Sequence, residues 1–183
     1  MNKDVFTKQL KDLVAFETVT GNVPENSKAL DYVVKLLPKN ISVKRFKNKN
    51  AEILIASTTK KLNPKIGYLV HMDVVAGRPD QFVSKVNGDK IIGRGTSDMK
   101  VSIPIGISLL NFTKERNIEF ALAITTDEET GGYEGGLFLA ENIKFRPLCL
   151  IVPDGGEKLN FVNKSKGVRS EEHTSELQSR FGI

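Results

Sequence analysis

The sequence predicts an α/β fold of three layers, αβα, in which helices cover both faces of a largely parallel mixed sheet. Apolar residues recur at helical spacing in some segments and at strand spacing in others, and the two kinds of segment alternate along the chain. Strands separated by helices favour parallel pairing, because each helix carries the chain back across a face of the sheet. The 183 residues, 39% apolar and 27% charged, have the composition of one globular domain.

Four segments carry the helical pattern, with apolar residues every three to four positions. They lie at 5–14, 30–37, 101–112 and 136–142. Pro104 would break the interior of a helix but is tolerated in a first turn. The third helix is therefore predicted to begin close to Val101.

Alternating or continuous apolar runs between these helices predict the strands. The runs are ISVKRF from Ile41, AEILIAS from Ala51, IGYLVHMDVV from Ile66, KIIGRG from Lys90, IEFALA from Ile118 and LCLIVPD from Leu148. Cys149 lies in the last run and has no second cysteine to pair with. It is predicted to be a small residue of the core.

The formal charge of +5 raises the question of a nucleic-acid partner. The lysines concentrate in the polar segments KRFKNKN and TTKKLNPK, without the aromatic residues that stack on bases, so these segments are predicted to be solvated loops. No apolar run is long enough to cross a bilayer, and the N-terminal segment lacks the hydrophobic stretch of a signal peptide. The chain is expected to be cytoplasmic, with neither a nucleic-acid nor a membrane partner.

Acidic residues or a histidine stand at or just beyond the ends of four predicted strands. They are His71 and Asp73 in LVHMDVV, Asp98 in GRGTSDMK, Glu128 and Glu129 in TTDEETGG, and Asp154 in VPDGG. The carboxyl ends of parallel strands meet at one edge of a sheet, so these side chains can share a pocket. One imidazole with several carboxylates is the ligand mixture expected for a catalytic pair of Zn²⁺ ions, with one bridging carboxylate and one position open for water.

Each of these residues taken alone has an ordinary structural explanation. His71 could be a hydrogen-bonded strand histidine, Asp98 a helix N-cap, and TTDEET a hydrated loop tip. The coincidence of such residues at four strand ends favours a shared metal site over four separate explanations. Asp73, two residues after His71, is expected on the same strand face, where it would hydrogen-bond the second imidazole nitrogen and fix its tautomer.

The segments HMDVV, GRGTSDMK, DEETGG and VPDGG, in this order and at this spacing, resemble the zinc metallopeptidase and deacylase family. That family contains acetylornithine deacetylase, succinyl-diaminopimelate desuccinylase and bacterial glutamate carboxypeptidase. The resemblance extends from the first helix to about Gly167 and implies a truncated zinc-exopeptidase-like catalytic domain. One detail differs, because glycine commonly follows the DMK triplet in the family, whereas Val101 and Ser102 follow it here.

The resemblance also implies a role for each site residue. His71 and Asp154 would bind one zinc ion, Glu129 would bind the other, and Asp98 would bridge both. Asp73 would orient His71. The peptide bond that follows Asp98 is cis in this family, so a cis bond is expected here as well.

By the same resemblance, Glu128 would be the general base that takes a proton from water and passes it to the leaving nitrogen. Consecutive strand residues point to opposite faces, so Glu128 and Glu129 can both reach the site only if the strand ends before them. Gly131 and Gly132 would permit that bend. Asp127 would then only cap or brace the turn.

The family implies a substrate that is a small molecule or a short peptide, and two zinc ions per site, with Co or Mn as alternatives. The choice between peptidase and deacylase stays open, as does a homodimer formed through a lid domain. A competing hypothesis is a non-catalytic or degenerate module that binds a structural divalent ion. The zinc stoichiometry, measured together with hydrolysis, distinguishes the module from the enzyme.

The segment RSEEHTSELQS, residues 169–179, reads as the in-frame translation of a common short-read sequencing adapter. We therefore expect residues 1–168 to be the N-terminal part of a catalytic domain and residues 169–183 to be non-native. His173 lies in this segment and is not counted as a ligand. Family members are longer and carry a lid domain and a second zinc-binding histidine, so the 183-residue chain is expected to be inactive.

Overall fold

The computed structural model describes residues 2–154, and the predicted alternation of helices and strands is present in them. The helices are α1 (Lys3–Val14), α2 (Val23–Leu36), α3 (Ser102–Glu115) and α4 (Gly136–Glu141). The strands are β1 (Ser42–Asn48), β2 (Ala51–Ser57), β3 (Ile66–His71), β4 (Lys85–Asn87), β5 (Lys90–Ile92), β6 (Phe120–Thr125) and β7 (Cys149–Ile151). Helix α3 begins one residue after Val101 and holds Pro104 in its first turn, as predicted.

Five of the strands form one mixed sheet in the order β1-β2-β6-β3-β7. The pairs β1-β2 and β2-β6 are antiparallel, whereas β6-β3 and β3-β7 are parallel, so the predicted α/β fold with a mixed sheet is confirmed and half of its strand pairs are parallel. The KIIGRG run does not join this sheet, because its strand β5 pairs with β4 in a separate hairpin. In the main sheet β3 lies between β6 and β7, and the three strands run in the same direction.

Helices cover both faces of the sheet. On one face, α1, α2 and α3 pack against strand residues such as Leu54 and Leu122. On the other face, α4 packs against the strand residues next to these in sequence, such as Ile53 and Ala123. Strand side chains alternate between the two faces, so apolar residues at consecutive positions are buried on both sides and produce the continuous apolar runs seen in the sequence.

The prediction that Cys149 belongs to the core is wrong, because its side chain is exposed. Strand β7 is at the edge of the sheet in the part of the chain that the structure describes, and all three of its residues are exposed. An apolar run indicates a strand but does not reveal whether that strand is covered. Between residues 2 and 154 there is no helix with both the length and the apolar character needed to span a membrane.

Candidate metal centre

The site lies at the edge of the sheet where the parallel strands end. His71 is the last residue of β3, Glu128 and Glu129 follow β6, and Asp154 follows β7. Asp98 reaches the same edge from the turn that precedes α3. His71, Asp98 and Asp154 each offer one possible ligand atom, and these three atoms all lie within 4.8 Å of one another.

The imidazole of His71 is almost fully buried and is held at both nitrogens. Its Nδ1 lies 2.9 Å from the backbone carbonyl oxygen of Asp73, so Nδ1 carries a proton and donates it. Its Nε2 lies 3.0 Å from Oδ1 of Asp98. Two lone-pair atoms at that separation repel each other unless a proton or a cation lies between them.

Burial alone would lower the pKa of His71, but the hydrogen bonds and charge of Asp73, with the charge of Glu128, outweigh it and raise the pKa to about 9. The imidazole is therefore charged at neutral pH when no cation is bound. A metal ion that binds Nε2 has to displace a proton.

Asp98 projects from the turn with 61% of its side chain exposed. It does not cap α3, because the N-cap residue of that helix is Val101 and none of the described side chains caps it. The expected cis bond after Asp98 is wrong, since every peptide bond among the described residues is trans, the form that non-proline residues strongly favour.

The turn that carries Asp98 is anchored by Lys100, which is fully buried. The Lys100 ammonium donates to the carbonyl oxygens of Leu13 at 3.0 Å and Phe16 at 2.8 Å, at the end of α1. Gly95, with φ of +84°, packs on the lysine stem, where a Cβ would come 2.8 Å from Cδ. The position of Asp98 therefore depends on a helix far away in the sequence.

The carboxylate of Asp73 is fully buried. Its Oδ1 accepts a hydrogen bond from the backbone amide of Glu128, and its Oδ2 accepts one from that of Glu129, both at 3.2 Å. Its Oδ2 also accepts a 2.8 Å hydrogen bond from the Thr20 hydroxyl. The expected contact with His71 Nδ1 is longer, at 3.5 Å from Oδ1. Asp73 thus holds the imidazole mainly through its backbone and the glutamates through its side chain.

Strand β6 ends before Glu128 and Glu129, which is the condition for both side chains to reach the site. Residues Glu128–Thr130 form a short 3₁₀ turn. Gly131 and Gly132 follow with φ of +98° and +67°, values that favour glycine. Glu128 extends toward the imidazole, with its Oε2 3.7 Å from Nε2. Glu129 lies outside the group formed by His71, Asp98 and Asp154.

Both glutamates have raised pKa values. Burial raises the pKa of Glu128, His71 lowers it, and the negative charges of Asp154, Glu129 and Asp73 raise it further. Burial also raises the pKa of Glu129, and the largest electrostatic contribution in the same direction comes from Asp98. The neighbouring carboxylates raise the pKa of both glutamates and the imidazole of His71 lowers it, so these side chains share one electrostatic environment.

Asp127 braces the turn, as expected. Its Oδ2 accepts hydrogen bonds from the backbone amides of Glu134 and Gly135, both at 2.8 Å. Thr20 and Lys100 also support the site, but nothing in the sequence marks them as supporting residues. Both make contacts with residues far away along the chain, and no periodic pattern marks such contacts.

The chemistry of the donors fits a divalent metal ion. One imidazole nitrogen and two carboxylate oxygens, already close together, form the kind of three-ligand set that a catalytic zinc site uses, with the remaining position free for water or substrate. The backbone contact at Nδ1 provides the outer support that metal-binding histidines usually have.

The fold and the donor set define an α/β protein with a candidate metal site at the ends of its parallel strands. The sequence profile described as Peptidase family M20/M25/M40 matches residues 67–166, which is more than half of the chain. The chain belongs to this family, and the resemblance inferred from the four motifs is confirmed.

Several succinyl-diaminopimelate desuccinylases are similar to the chain. The enzyme of Rickettsia massiliae is 28% identical over 175 residues, covering 86% of this chain and 42% of that protein. The enzyme of Rickettsia bellii is 33% identical over 138 residues, covering 67% of this chain and 34% of that protein. The chain thus spans about two fifths or less of the length of these curated relatives.

Solved structures share the fold at lower sequence identity. Human carnosine dipeptidase 1 superposes with a TM-score of 0.66 at 15% identity, covering 83% of this chain and 38% of its own. An M20 family metallo-carboxypeptidase of Sulfolobus solfataricus superposes with a TM-score of 0.66 at 18% identity, covering 85% of this chain and 38% of its own. These likenesses show the fold alone.

Proposed function

We propose that this chain supplies metal ligands and a general base to a hydrolase that cleaves an amide or peptide bond of a small substrate. The observation that carries the proposal is the convergence of His71, Asp98 and Asp154 within 4.8 Å. The similar proteins include desuccinylases and a dipeptidase. An N-acyl amino acid and a short peptide are therefore the two substrate classes to test.

The proposed ligand assignment uses two zinc ions. His71 and Asp154 would hold one ion, Glu129 would contribute to the other, and Asp98 would be shared between the two. The mutual approach of His71, Asp98 and Asp154 supports the first part of this assignment. Burial and the negative charge of Asp98 raise the pKa of Glu129, which is consistent with the second part, since both carboxylates then belong to one acidic environment. Co²⁺ and Mn²⁺ are the alternatives to Zn²⁺.

When bound, the metal ions would polarise the scissile carbonyl and lower the pKa of an attacking water. Glu128 takes the proton of that water and delivers it to the leaving nitrogen. Its raised pKa brings its affinity for a proton closer to the operating pH, as a general base needs. Asp73 keeps Glu128 in reach by holding its backbone amide, and keeps the Nδ1 proton of His71 in place.

We also propose that the 183-residue chain is inactive by itself. It contains two histidines, and His173 lies in the adapter-like segment, outside the described residues. His71 is then the one imidazole available, so the second ion would be held by carboxylates alone. The organisation into a native part, 1–168, and a non-native part, 169–183, belongs to the same proposal.

The test combines zinc titration with hydrolysis assays. Calorimetry on the 183-residue chain is expected to show one tightly bound zinc ion, and assays with N-succinyl amino acids, N-acetyl amino acids and dipeptides are expected to show no turnover. The gene product with its sequence completed across the Val168 junction is expected to bind two ions and to hydrolyse one substrate class. A completed product that binds one ion and hydrolyses nothing would support the non-catalytic module instead.

A further inference from the structure

We propose that Thr20 is a positioning residue for the candidate site. Its hydroxyl orients the Asp73 carboxylate, and that carboxylate fixes the backbone of Glu128 and Glu129 beside the imidazole. The inference deepens the proposed function and rests on it for one of its two readouts, the affinity for zinc.

The hydrogen bond from Thr20 is the shortest that the Asp73 side chain accepts. It measures 2.8 Å, against 3.2 Å for the amides of Glu128 and Glu129. A hydroxyl that donates to a carboxylate makes a charge-assisted bond, which is stronger than a bond between neutral groups. The hydroxyl is therefore the strongest local restraint on the rotation of this carboxylate.

The rotation of the carboxylate matters because its two oxygens have different partners. Oδ1 accepts from Glu128 and faces Nδ1 of His71 at 3.5 Å, while Oδ2 accepts from Glu129 and Thr20. Without the hydroxyl, Oδ2 keeps one long hydrogen bond in a fully buried place. The carboxylate then gains freedom to turn, and both glutamate amides lose a fixed acceptor.

The segment that contains Thr20 is held independently of this hydroxyl. Its backbone pairs with the stretch that follows β3, where Val74 N donates to Thr18 O at 3.0 Å and Thr20 N donates to Val74 O at 3.2 Å. The Thr18 hydroxyl adds a 2.8 Å bond to the carbonyl oxygen of Met72. Removing the Thr20 hydroxyl therefore leaves the segment attached and isolates the effect on the Asp73 carboxylate.

The same segment offers a matched control. Thr18→Val and Thr20→Val each delete one hydroxyl from positions two residues apart, and each hydroxyl donates to the stretch after β3. Only the Thr20 hydroxyl reaches a carboxylate, whereas the Thr18 hydroxyl reaches a backbone carbonyl. A merely structural role for Thr20 predicts that the two variants behave alike at the site.

The experiment measures the metal-free and the zinc-bound protein. In metal-free protein, Thr20→Val is expected to speed the hydrogen exchange of the Glu128 and Glu129 amides, as followed by NMR. It is also expected to weaken zinc binding about tenfold in a competition titration, in line with the effect of groups that support metal ligands. Thr20→Ser is expected to restore both properties, and Thr18→Val is expected to leave both near the wild type.

The two readouts separate this inference from the proposed function. If the wild-type chain binds no zinc, the proposed function fails, and the exchange of the two amides still decides the role of Thr20. The inference is overturned if Thr20→Val leaves that exchange as it is in Thr18→Val, or if Thr20→Ser behaves like Thr20→Val.

Discussion

Nε2 of His71 lies 3.0 Å from Oδ1 of Asp98, while Nδ1 of the same ring donates to the backbone of Asp73. The imidazole is therefore protonated on both nitrogens when no metal ion is present, and its pKa is raised to about 9. A proton and a metal ion compete for the same lone pair.

The first prediction concerns the pH dependence of zinc binding. Because zinc must displace the Nε2 proton, its affinity should rise about tenfold per pH unit below the pKa of His71. Competition titrations between pH 6 and pH 8 measure the slope, and calorimetry in two buffers of different ionisation enthalpy counts the released protons. An affinity that is flat over this range would show that His71 does not bind the ion.

The second prediction concerns the stability of the metal-free protein. The folded-state pKa of His71 is above its ordinary value of 6.5, so the protonated form is favoured by folding. Its contribution to the free energy of unfolding is fully present below about pH 6.5 and is lost as the pH rises through about 9. Urea unfolding in EDTA at several pH values measures it. The difference between wild type and His71→Gln isolates this contribution, and a difference that grows above pH 7 would contradict the assignment.

The third prediction separates the proposed ligands from the proposed general base. Asp98→Asn removes a negative oxygen from the group with His71 and Asp154, so zinc affinity should fall by about 10-fold or more. Glu128→Gln keeps the shape of the side chain and removes the carboxylate proposed as the base, so zinc affinity should stay within about threefold of the wild type. Titration of both variants under one set of conditions makes the comparison. Equal losses in the two variants would assign Glu128 to the ligands.

The fourth prediction concerns the brace under the glutamates. A Cβ on Gly135 would come 2.1 Å from Oδ1 of Asp127, so Gly135→Ala should force that carboxylate away from the amides it caps and destabilise the fold by about 1–3 kcal/mol. Gly136→Ala is the control, because within residues 2–154 no atom outside its own helix and chain neighbours lies within 4 Å of a Cβ at that position. It should leave stability unchanged or raise it by up to about 1 kcal/mol. Chemical denaturation measures both, and similar stabilities for the two variants would contradict the proposed clash.

The sequence predicted the fold class and the convergence of His71 and Asp154 for the same reason. Apolar periodicity marks strands, and parallel strands bring the residues that follow them to one edge. Asp98 was expected at the end of a strand of this sheet, but the strand before it pairs in a separate hairpin, and Asp98 reaches the site from the turn before α3. The burial of β7 could not be predicted, because the apolar character of Cys149 and its neighbours does not reveal whether a strand lies at an edge. The antiparallel pairing of β2 with β6 could not be predicted either, because it depends on the path of the chain between the strands and not on the local apolar pattern.

The contacts that support the site could not be predicted from the sequence, for a different reason. Thr20 meets Asp73, and Lys100 meets the carbonyls at the end of α1, across long stretches of sequence. A single hydroxyl or ammonium group that bonds over such a separation leaves no period and no characteristic spacing. The partners of Asp73 were also not predictable from local spacing. Its position two residues after His71 suggested the imidazole as the main partner of its side chain, but the side chain lies closer to the backbone amides of the glutamates.

Strand β3 lies between two parallel neighbours, and this order has a consequence for assembly. The imidazole at its end lies beside the Asp154 carboxylate, which follows β7, and the Asp98 carboxylate, which comes from the turn before α3. An ion held by these three side chains would bind only when β7 and that turn are both docked beside β3. Metal uptake would then report on the assembly of three segments far apart along the polymer, and undocking of any one of them would release the ion.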